Sequence, residues 1–213
     1  MALLMQLFQV MPSQLRASAA APIPGPVDVG FAQFMIVHHD QAVIMSQIIV
    51  AHGQSEVSGM AISIQAAQLL EMGQMRGLLS SWNKPFLPSS KRMNWLLLGK
   101  ISPDAALLRY IADCNASPGG MPGLATTEEL NRLRELDGNA RDLLFLQLMI
   151  RHHSGALPMA QFAARNADTP QIRGLATQIL LDQTVELNRM EALLKMHGAA
   201  LKSTSSLASS ATQ

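Results

Sequence analysis

The sequence is poor in aromatic residues, in charge and in cysteine. Phe, Trp and Tyr make up 4% of its 213 residues, charged residues make up 15%, and Cys114 stands alone. A single cysteine excludes an intramolecular disulfide and does not distinguish an oxidising from a reducing compartment. The net charge is +1 and no segment carries a cluster of Lys and Arg, which argues against nucleic-acid binding.

The sequence also lacks the motifs of several enzyme classes. It contains no nucleophile with an adjacent base, no phosphate-binding glycine loop and no cofactor fingerprint. Gly119-Gly120 and Pro122-Gly123 are typical of turns flanking Met121. These absences argue against a hydrolase or a nucleotide-dependent enzyme, and we expect a protein without catalytic activity.

Residues 1–25 resemble a short signal peptide. An apolar stretch at residues 2–11 is followed by small residues at 17–21 and then by Pro22-Ile-Pro-Gly-Pro26. No Lys or Arg precedes the apolar stretch, so the true start lies upstream of Met1 or the segment is a disordered leader. The sequence favours export to the periplasm or the cell exterior, with a cytoplasmic location as the alternative.

The remaining chain predicts a single domain. Hydrophobic residues make up 48% of the sequence, enough for one sizeable core over residues 26–200. Residues 201–213 are low in large apolar side chains and predict a disordered tail. His38 and His39 interrupt the apolar segment at 31–51, so we expect no helix that crosses a membrane.

One motif occurs twice. Met35-Ile-Val-His-His-Asp-Gln-Ala-Val-Ile-Met45 returns as Met149-Ile-Arg-His-His-Ser-Gly-Ala-Leu-Pro-Met159, with the methionines, histidines and alanine in register. Downstream, three positions of the first copy match three of the second: Gln68, Glu71 and Met75 match Gln183, Glu186 and Met190. Each copy, residues 28–80 and 128–198, is too short to bury its own apolar face, so the two halves should pack together.

Hydrophobic periodicity predicts two helical hairpins. The first joins helices at about 28–51 and 56–80, with Ser55 as a cap. The second joins helices at about 139–165 and 170–197, with Gly198 as the stop. The connecting segment, residues 81–127, contains short helices opened by Asp104 and by Thr126 with Glu129. Two hairpins joined by one long crossover predict an all-α, ferritin-like four-helix bundle.

The repeated motif carries ligands for a soft metal. Residues at spacings of three and four lie along one stripe of a helix. The stripes carry these imidazoles and thioethers: Met35, His38, His39 and Met45, then Met149, His152, His153 and Met159. Thioether sulfur suits Cu(I) or Ag(I), whereas Zn(II), Fe(II) and Mn(II) prefer more imidazole, carboxylate or water. The sequence therefore predicts a copper site.

Two glutamates occupy matching positions on the other helix of each hairpin. Glu71 and Glu186 either accept a hydrogen bond from a histidine N–H and orient it, or bind the metal directly, and we favour the first role. Gln68 and Gln183 lie one turn earlier, and Met75 and Met190 lie one turn later. Neither copy contains the Glu-x-x-His of dinuclear iron or manganese bundles, which argues against such an oxidase.

Two alternatives remain open from the residues. Histidines and methionines at helical spacing also occur as core packing, and a duplication copies structural residues as well. In that case the histidine pairs hydrogen-bond to Glu71 and Glu186 and bind no metal. The third hypothesis, a redox metalloenzyme, requires an open coordination position.

Three features of the sequence are the repeated Met-Ile-x-His-His-x-x-Ala-x-x-Met, the downstream Gln-x-x-Glu-x-x-x-Met and the stretch that begins Met121-Pro-Gly-Leu. Together they resemble the bacterial domain of unknown function family 305 (DUF305). The resemblance covers about residues 28–198. It implies a ferritin-like helical bundle, commonly exported, with some members associated with copper binding and resistance. Carried over by residue, it implies the same eight histidines and methionines as metal ligands.

One departure from the family bears on additional ligands. Family members often have a histidine near a methionine in the connecting segment, whereas Lys91-Arg92-Met93-Asn94-Trp95 has none. Met93 and Met121 are therefore additional soft-ligand candidates. We expect a protein that buffers or delivers copper or confers resistance to it, with a copper-handling protein as a partner. The residues leave open whether the pairs form one site or two, and in what oligomeric state.

Overall fold

The computed structural model describes residues 22–117 and 119–210, with side chains described as far as Met196. These residues form no strand; they form one short 3-10 helix at Asn94–Leu97 and six α-helices. The α-helices are α1 (Pro26–Ala51), α2 (Ser58–Ser81), α3 (Ala105–Ala116), α4 (Thr127–Glu135), α5 (Gly138–Asn166) and α6 (Pro170–Ser210). The predicted signal peptide falls largely on residues 1–21, which lie outside the described residues.

Four long helices form the bundle. α1 packs along α2, α5 packs along α6, and α1 crosses α5, so the two hairpins meet through their first helices. The 3-10 helix contacts α1, and α4 contacts both α1 and α5. This arrangement confirms the predicted all-α fold of two helical hairpins joined by a long crossover.

Local sequence signals set most helix ends. Pro26 stands at the first turn of α1, and Gly53, with φ +87°, follows its end. The Asp104 carboxylate accepts a hydrogen bond from the Leu107 N–H at 2.8 Å and caps α3. Thr126 and Glu129 form the predicted capping box of α4.

Two predicted helix boundaries are wrong. Ser55 does not cap α2: its N–H donates to the Ser58 hydroxyl, and the helix begins at Ser58 behind Val57. α6 continues through Gly198 to Ser210, because a glycine within a helix costs only about 1 kcal/mol. Residues 201–210, which the sequence predicts as part of a disordered tail, continue α6, and residues 211–213 lie outside the described residues.

The core divides into two clusters along the bundle. We call one the first methionine cluster; its methionines are Met35, Met72, Met75, Met93, Met121 and Met159. We call the other the second methionine cluster; its methionines are Met45, Met149 and Met190. Trp95 packs in the first cluster directly against α1, where a Cβ at Gly30 would lie 2.4 Å from the indole. Because Gly30 has no side chain, Trp95 of the connecting segment can pack into the core at this position.

α1 has the length and composition of a membrane-spanning helix, which differs from the sequence expectation. The two histidines lower its hydropathy less than charged residues would. Most of its apolar window is buried inside the bundle, near the N-terminal end of the described chain. The core helix of a soluble bundle has the same properties, so α1 is weak support for a membrane span.

Asp28 joins the start of α1 to the turn between α5 and α6. Its fully buried carboxylate accepts hydrogen bonds from the backbone N–H groups of Gly25, Asp168 and Thr169 at 2.9, 3.0 and 2.9 Å. The Thr169 hydroxyl is a fourth donor. Buried charge is tolerated when it is hydrogen-bonded in this way. One side chain thus ties the first hairpin to the second.

We expect Asp28→Ala to lower the free energy of unfolding by about 3 kcal/mol, because it leaves buried donors without an acceptor. Urea denaturation measures the change. Asp40→Ala on the exposed face of α1 is the control, with an expected change of about 0.5 kcal/mol or less. Equal effects of the two substitutions would contradict the assigned role of Asp28.

Candidate metal centre

The two histidine pairs meet where α1 crosses α5. His38, His39, His152 and His153 are all fully buried. The ring centroids of His38 and His152 lie 3.8 Å apart, and those of His152 and His153 lie 5.9 Å apart. The pairs therefore form one group of four imidazoles, which we call the histidine centre.

The second histidine of each pair contacts a glutamate of the same hairpin. His39 Nε2 lies 2.7 Å from Glu71 Oε2, and His153 Nε2 lies 2.7 Å from Glu186 Oε2. An ionised carboxylate only accepts hydrogen bonds, so the neutral form of each imidazole carries its proton on Nε2. The Nδ1 atom of each ring then presents a bare lone pair.

The first histidines are held differently. His152 Nε2 donates to the backbone carbonyl of His38 at 2.8 Å, which again leaves Nδ1 bare, whereas the Pro122 carbonyl faces the His38 ring without a well-aligned hydrogen bond. All four Nδ1 atoms are buried and unpartnered. Buried polar atoms without partners are rare, and an unprotonated imidazole nitrogen is what a metal ligand presents.

Burial keeps His38 and His152 uncharged. Desolvation, reinforced by the neighbouring histidines, holds the pKa of both imidazoles well below the usual value of 6.5. The carbonyl of Pro122 faces His38 and opposes this shift weakly. At neutral pH a metal ion would therefore meet two lone pairs without displacing a proton.

Buried methionines flank the histidine centre. Met35 and Met159 belong to the first methionine cluster, and Met45 and Met149 belong to the second. The remaining methionine candidates divide unequally: Met75, Met93 and Met121 lie in the first cluster and Met190 lies in the second. The two ends of the centre therefore differ, because the connecting segment adds sulfur atoms to the first cluster alone.

Two buried glutamines lack partners. Gln68 and Gln183 lie one helical turn before Glu71 and Glu186, each is 2% exposed, and neither amide has a hydrogen bond. An unsatisfied buried amide costs about 1–3 kcal/mol, and ordered water or a ligand is its usual partner. The glutamines thus add to the unsatisfied polar groups of this core.

The side chains at the crossing offer imidazole nitrogen and thioether sulfur, a combination that Cu(I) and Ag(I) accept. Among residues 22–117 and 119–196, no three His, Cys, Asp or Glu side chains are placed to hold one metal ion together.

Cys114 belongs to the first methionine cluster, whereas His52 lies apart from the histidine centre. Burial raises the pKa of the Cys114 thiol to about 11, so it stays protonated at neutral pH. The ring nitrogens of His52 face the carbonyls of Ile48 and Arg134 at 2.7 and 3.1 Å. His52 therefore has a sufficient structural role at the end of α1.

The connecting segment covers the histidine centre, which the sequence did not predict. A Cβ at Gly155 would lie 2.1 Å from the Pro122 carbonyl oxygen, and one at Gly123 would lie 2.5 Å from the Arg151 carbonyl oxygen. These glycines let the loop lie directly on α5, which continues as one helix through Pro158. A glycine inside a helix next to a His-His pair is the sequence signal for this contact.

The model of the Domain of unknown function family DUF305 matches residues 28–194. The chain belongs to the DUF305 family. Its fold resembles that of a candidate secreted DUF305 protein from Streptomyces coelicolor, with 32% identity, a TM-score of 0.68, and coverage of 81% of this chain and 94% of that one. These findings confirm the family and the ferritin-like helical fold inferred from the motifs.

Two further relatives are more limited matches to this DUF305 chain. The structure described as CopM in the Cu(I)-bound form shares the fold at 21% identity, with a TM-score of 0.55 and coverage of 79% of this chain and 95% of that one. An uncharacterized protein of Acanthamoeba polyphaga mimivirus is 38% identical over 53 residues. That match covers 25% of this chain and only 35% of the viral protein.

We expect the metal-free protein to lose stability as the pH falls below about 6.5. Unfolded histidines take up protons there, whereas the lowered pKa values keep folded His38 and His152 neutral. The slope should approach about 2.7 kcal/mol per pH unit for two protons, between the folded and unfolded pKa values. Urea midpoints across this range, measured with a chelator present, report the slope.

The double variant His38→Gln/His152→Gln is the control for this pH dependence. It removes the two groups with lowered pKa, so its stability should change less between pH 7 and 5 than that of the wild type. The same slope in both proteins would contradict the assignment.

Proposed function

We propose that this DUF305 protein binds Cu(I), or Ag(I) in its place, at the histidine centre and serves in copper buffering, delivery or resistance. The observation that carries the proposal is the 3.8 Å contact between His38 and His152, buried rings with unpartnered nitrogens between two methionine clusters. We propose no catalytic activity, with copper as cargo rather than as the centre of a reaction.

The arrangement of the glutamates supports a soft cation. Glu71 and Glu186 are each occupied by a histidine N–H, so they orient His39 and His153 while leaving Nδ1 free. A carboxylate held outside the coordination sphere also raises the basicity of the imidazole that it orients. The ligands proposed for the ion are therefore imidazole nitrogen and thioether sulfur, the set that suits Cu(I).

Two structural relatives of low sequence identity support this proposal. CopM has the same fold and is described in a Cu(I)-bound form, and the Streptomyces coelicolor protein is described as a candidate secreted protein. We extend both properties to this chain as part of the proposal: it binds copper and it works outside the cytoplasm. A copper-handling protein is the proposed recipient of the ion.

The alternative function is that of a structural or protein-interaction bundle. The His39–Glu71 and His153–Glu186 contacts favour it, because they satisfy one nitrogen of each ring without any metal. It leaves the Nδ1 atoms of the four histidines and the amides of Gln68 and Gln183 without partners. Metal binding would give the imidazole nitrogens at the crossing a partner.

Anaerobic titration with Cu(I) against a chromophoric chelator tests the proposal. We expect tight binding by the full chain, and affinity at least about tenfold lower in His38→Ala and in His152→Ala, since a lost coordination bond exceeds about 1.4 kcal/mol. His52→Ala is the matched control, because His52 lies outside the centre and binds backbone carbonyls.

No competition with the chelator by the wild type would contradict the proposal. If the wild type has no affinity for Cu(I) and the variants at the centre have lower thermal stability, the structural alternative is established.

We further expect Glu71→Gln to weaken Cu(I) binding by about 10- to 100-fold, the usual effect of removing a carboxylate that orients a ligand histidine. Glu186→Gln should act in the same direction, because the two contacts have the same length. The same titration measures the change, with exposed Glu191→Gln on α6 as the control. Unchanged affinity in both variants would exclude the orienting role.

A further inference from the structure

Different parts of the fold cover the sides of the histidine centre. α2 lies along α1 and α6 lies along α5, so whole helices cover two of its sides. The outer edge of the α1–α5 crossing is covered by a short piece of the connecting segment, residues 121–125, which we call the strap. Met121 lies in the first methionine cluster and Ala125 lies in the second. The strap therefore runs past the histidine layer from one cluster to the other.

The strap makes close contact with both helices of the crossing. The Pro122 carbonyl faces His38 on α1, and the same carbonyl occupies the space that a side chain at Gly155 of α5 would fill. A Cβ at Gly123 would lie 3.1 Å from the Cα of His152. The strap backbone therefore lies directly against α5 beside His152.

One side chain holds the strap to α1. Gln41 Nε2 donates to the Ala125 carbonyl at 2.9 Å, and Gln41 Oε1 accepts from the Ala125 N–H at 2.6 Å. Gln41 lies two residues beyond His39 on the partly exposed side of α1. Beyond the strap, Glu129 pairs with Arg151, which fastens α4 to α5. These polar contacts close the edge of the crossing.

Opening the strap breaks the two Gln41 hydrogen bonds and the one from the Ser117 hydroxyl to the Met121 carbonyl, and it withdraws the Met121 and Ala125 side chains from the core. Separating α1 from α2 or α5 from α6 would expose the side chains of both clusters along whole helices. Local openings of small segments with few buried contacts are the ones that proteins populate most. We infer that the strap is the entrance to the histidine centre and that Gln41 is the positioning residue that keeps it closed, an inference that rests on the proposed copper function.

Histidine modification tests the opening without any metal. Diethyl pyrocarbonate acylates neutral imidazole, and peptide mass spectrometry reports the rate at each histidine of the full chain. In Gln41→Ala we expect modification of His38 and His152 to be about tenfold faster, because both hydrogen bonds between Gln41 and Ala125 are lost. Exposed His52 should react at the same rate in every variant and calibrates the reagent.

Gln33→Ala is the matched control. Gln33 is also on α1 and donates to a backbone carbonyl of the connecting segment, that of Pro85 at 2.7 Å, but it lies away from the strap. It should leave the modification rates of His38 and His152 unchanged. Gly155→Ala is a second opening variant, since its Cβ would displace the Pro122 carbonyl, and it should act like Gln41→Ala.

Stopped-flow transfer of Cu(I) from and to a chromophoric chelator then tests entry. In Gln41→Ala we expect loading and release both to be about tenfold faster with unchanged equilibrium affinity, which loss of stability alone does not produce. Unchanged modification and transfer rates in Gln41→Ala and Gly155→Ala would overturn the inference. The ion would then have to enter between α2 and α6, past Glu71 and Glu186. If the histidine modification rates are as expected but the wild type binds no Cu(I), the proposed function and the strap's role in metal entry are both overturned.

Discussion

The contact between His38 and His152 is the constraint on which the rest of the structure depends. Two imidazoles at 3.8 Å, deep in an apolar core, must both stay uncharged, and the lowered pKa values reflect that. Small residues, Ala42 and Ala156, follow the histidines on each helix and are fully buried. Helices that meet this closely bring the imidazole nitrogens of the two pairs together.

The buried polar groups of the bundle differ in how many hydrogen-bond partners they have. Asp28 has four donors and serves the fold. The amides of Gln68 and Gln183 have none, and a buried amide without a partner costs stability. Ligands or ordered water are the usual partners of such groups. The unpartnered atoms at the crossing of α1 and α5 therefore support the proposed metal site there.

Periodicity and capping chemistry were enough to predict the helices, as the Thr126 and Asp104 caps illustrate, because these signals are local. The meeting of His38 with His152 depends on how α1 crosses α5, which no local pattern records. The strap was missed for the same reason: Gln41 contacts Ala125 across 84 positions of sequence. Gly155 provides space for the Pro122 carbonyl in the same long-range contact.

X-ray absorption spectroscopy of the Cu(I)-loaded full chain tests binding at the histidine centre. We expect imidazole nitrogen and thioether sulfur together in the first coordination sphere, with the nitrogen signal lost when His38 and His152 are both replaced. Copper surrounded by oxygen or nitrogen alone, unchanged by those replacements, would contradict binding at the histidine centre.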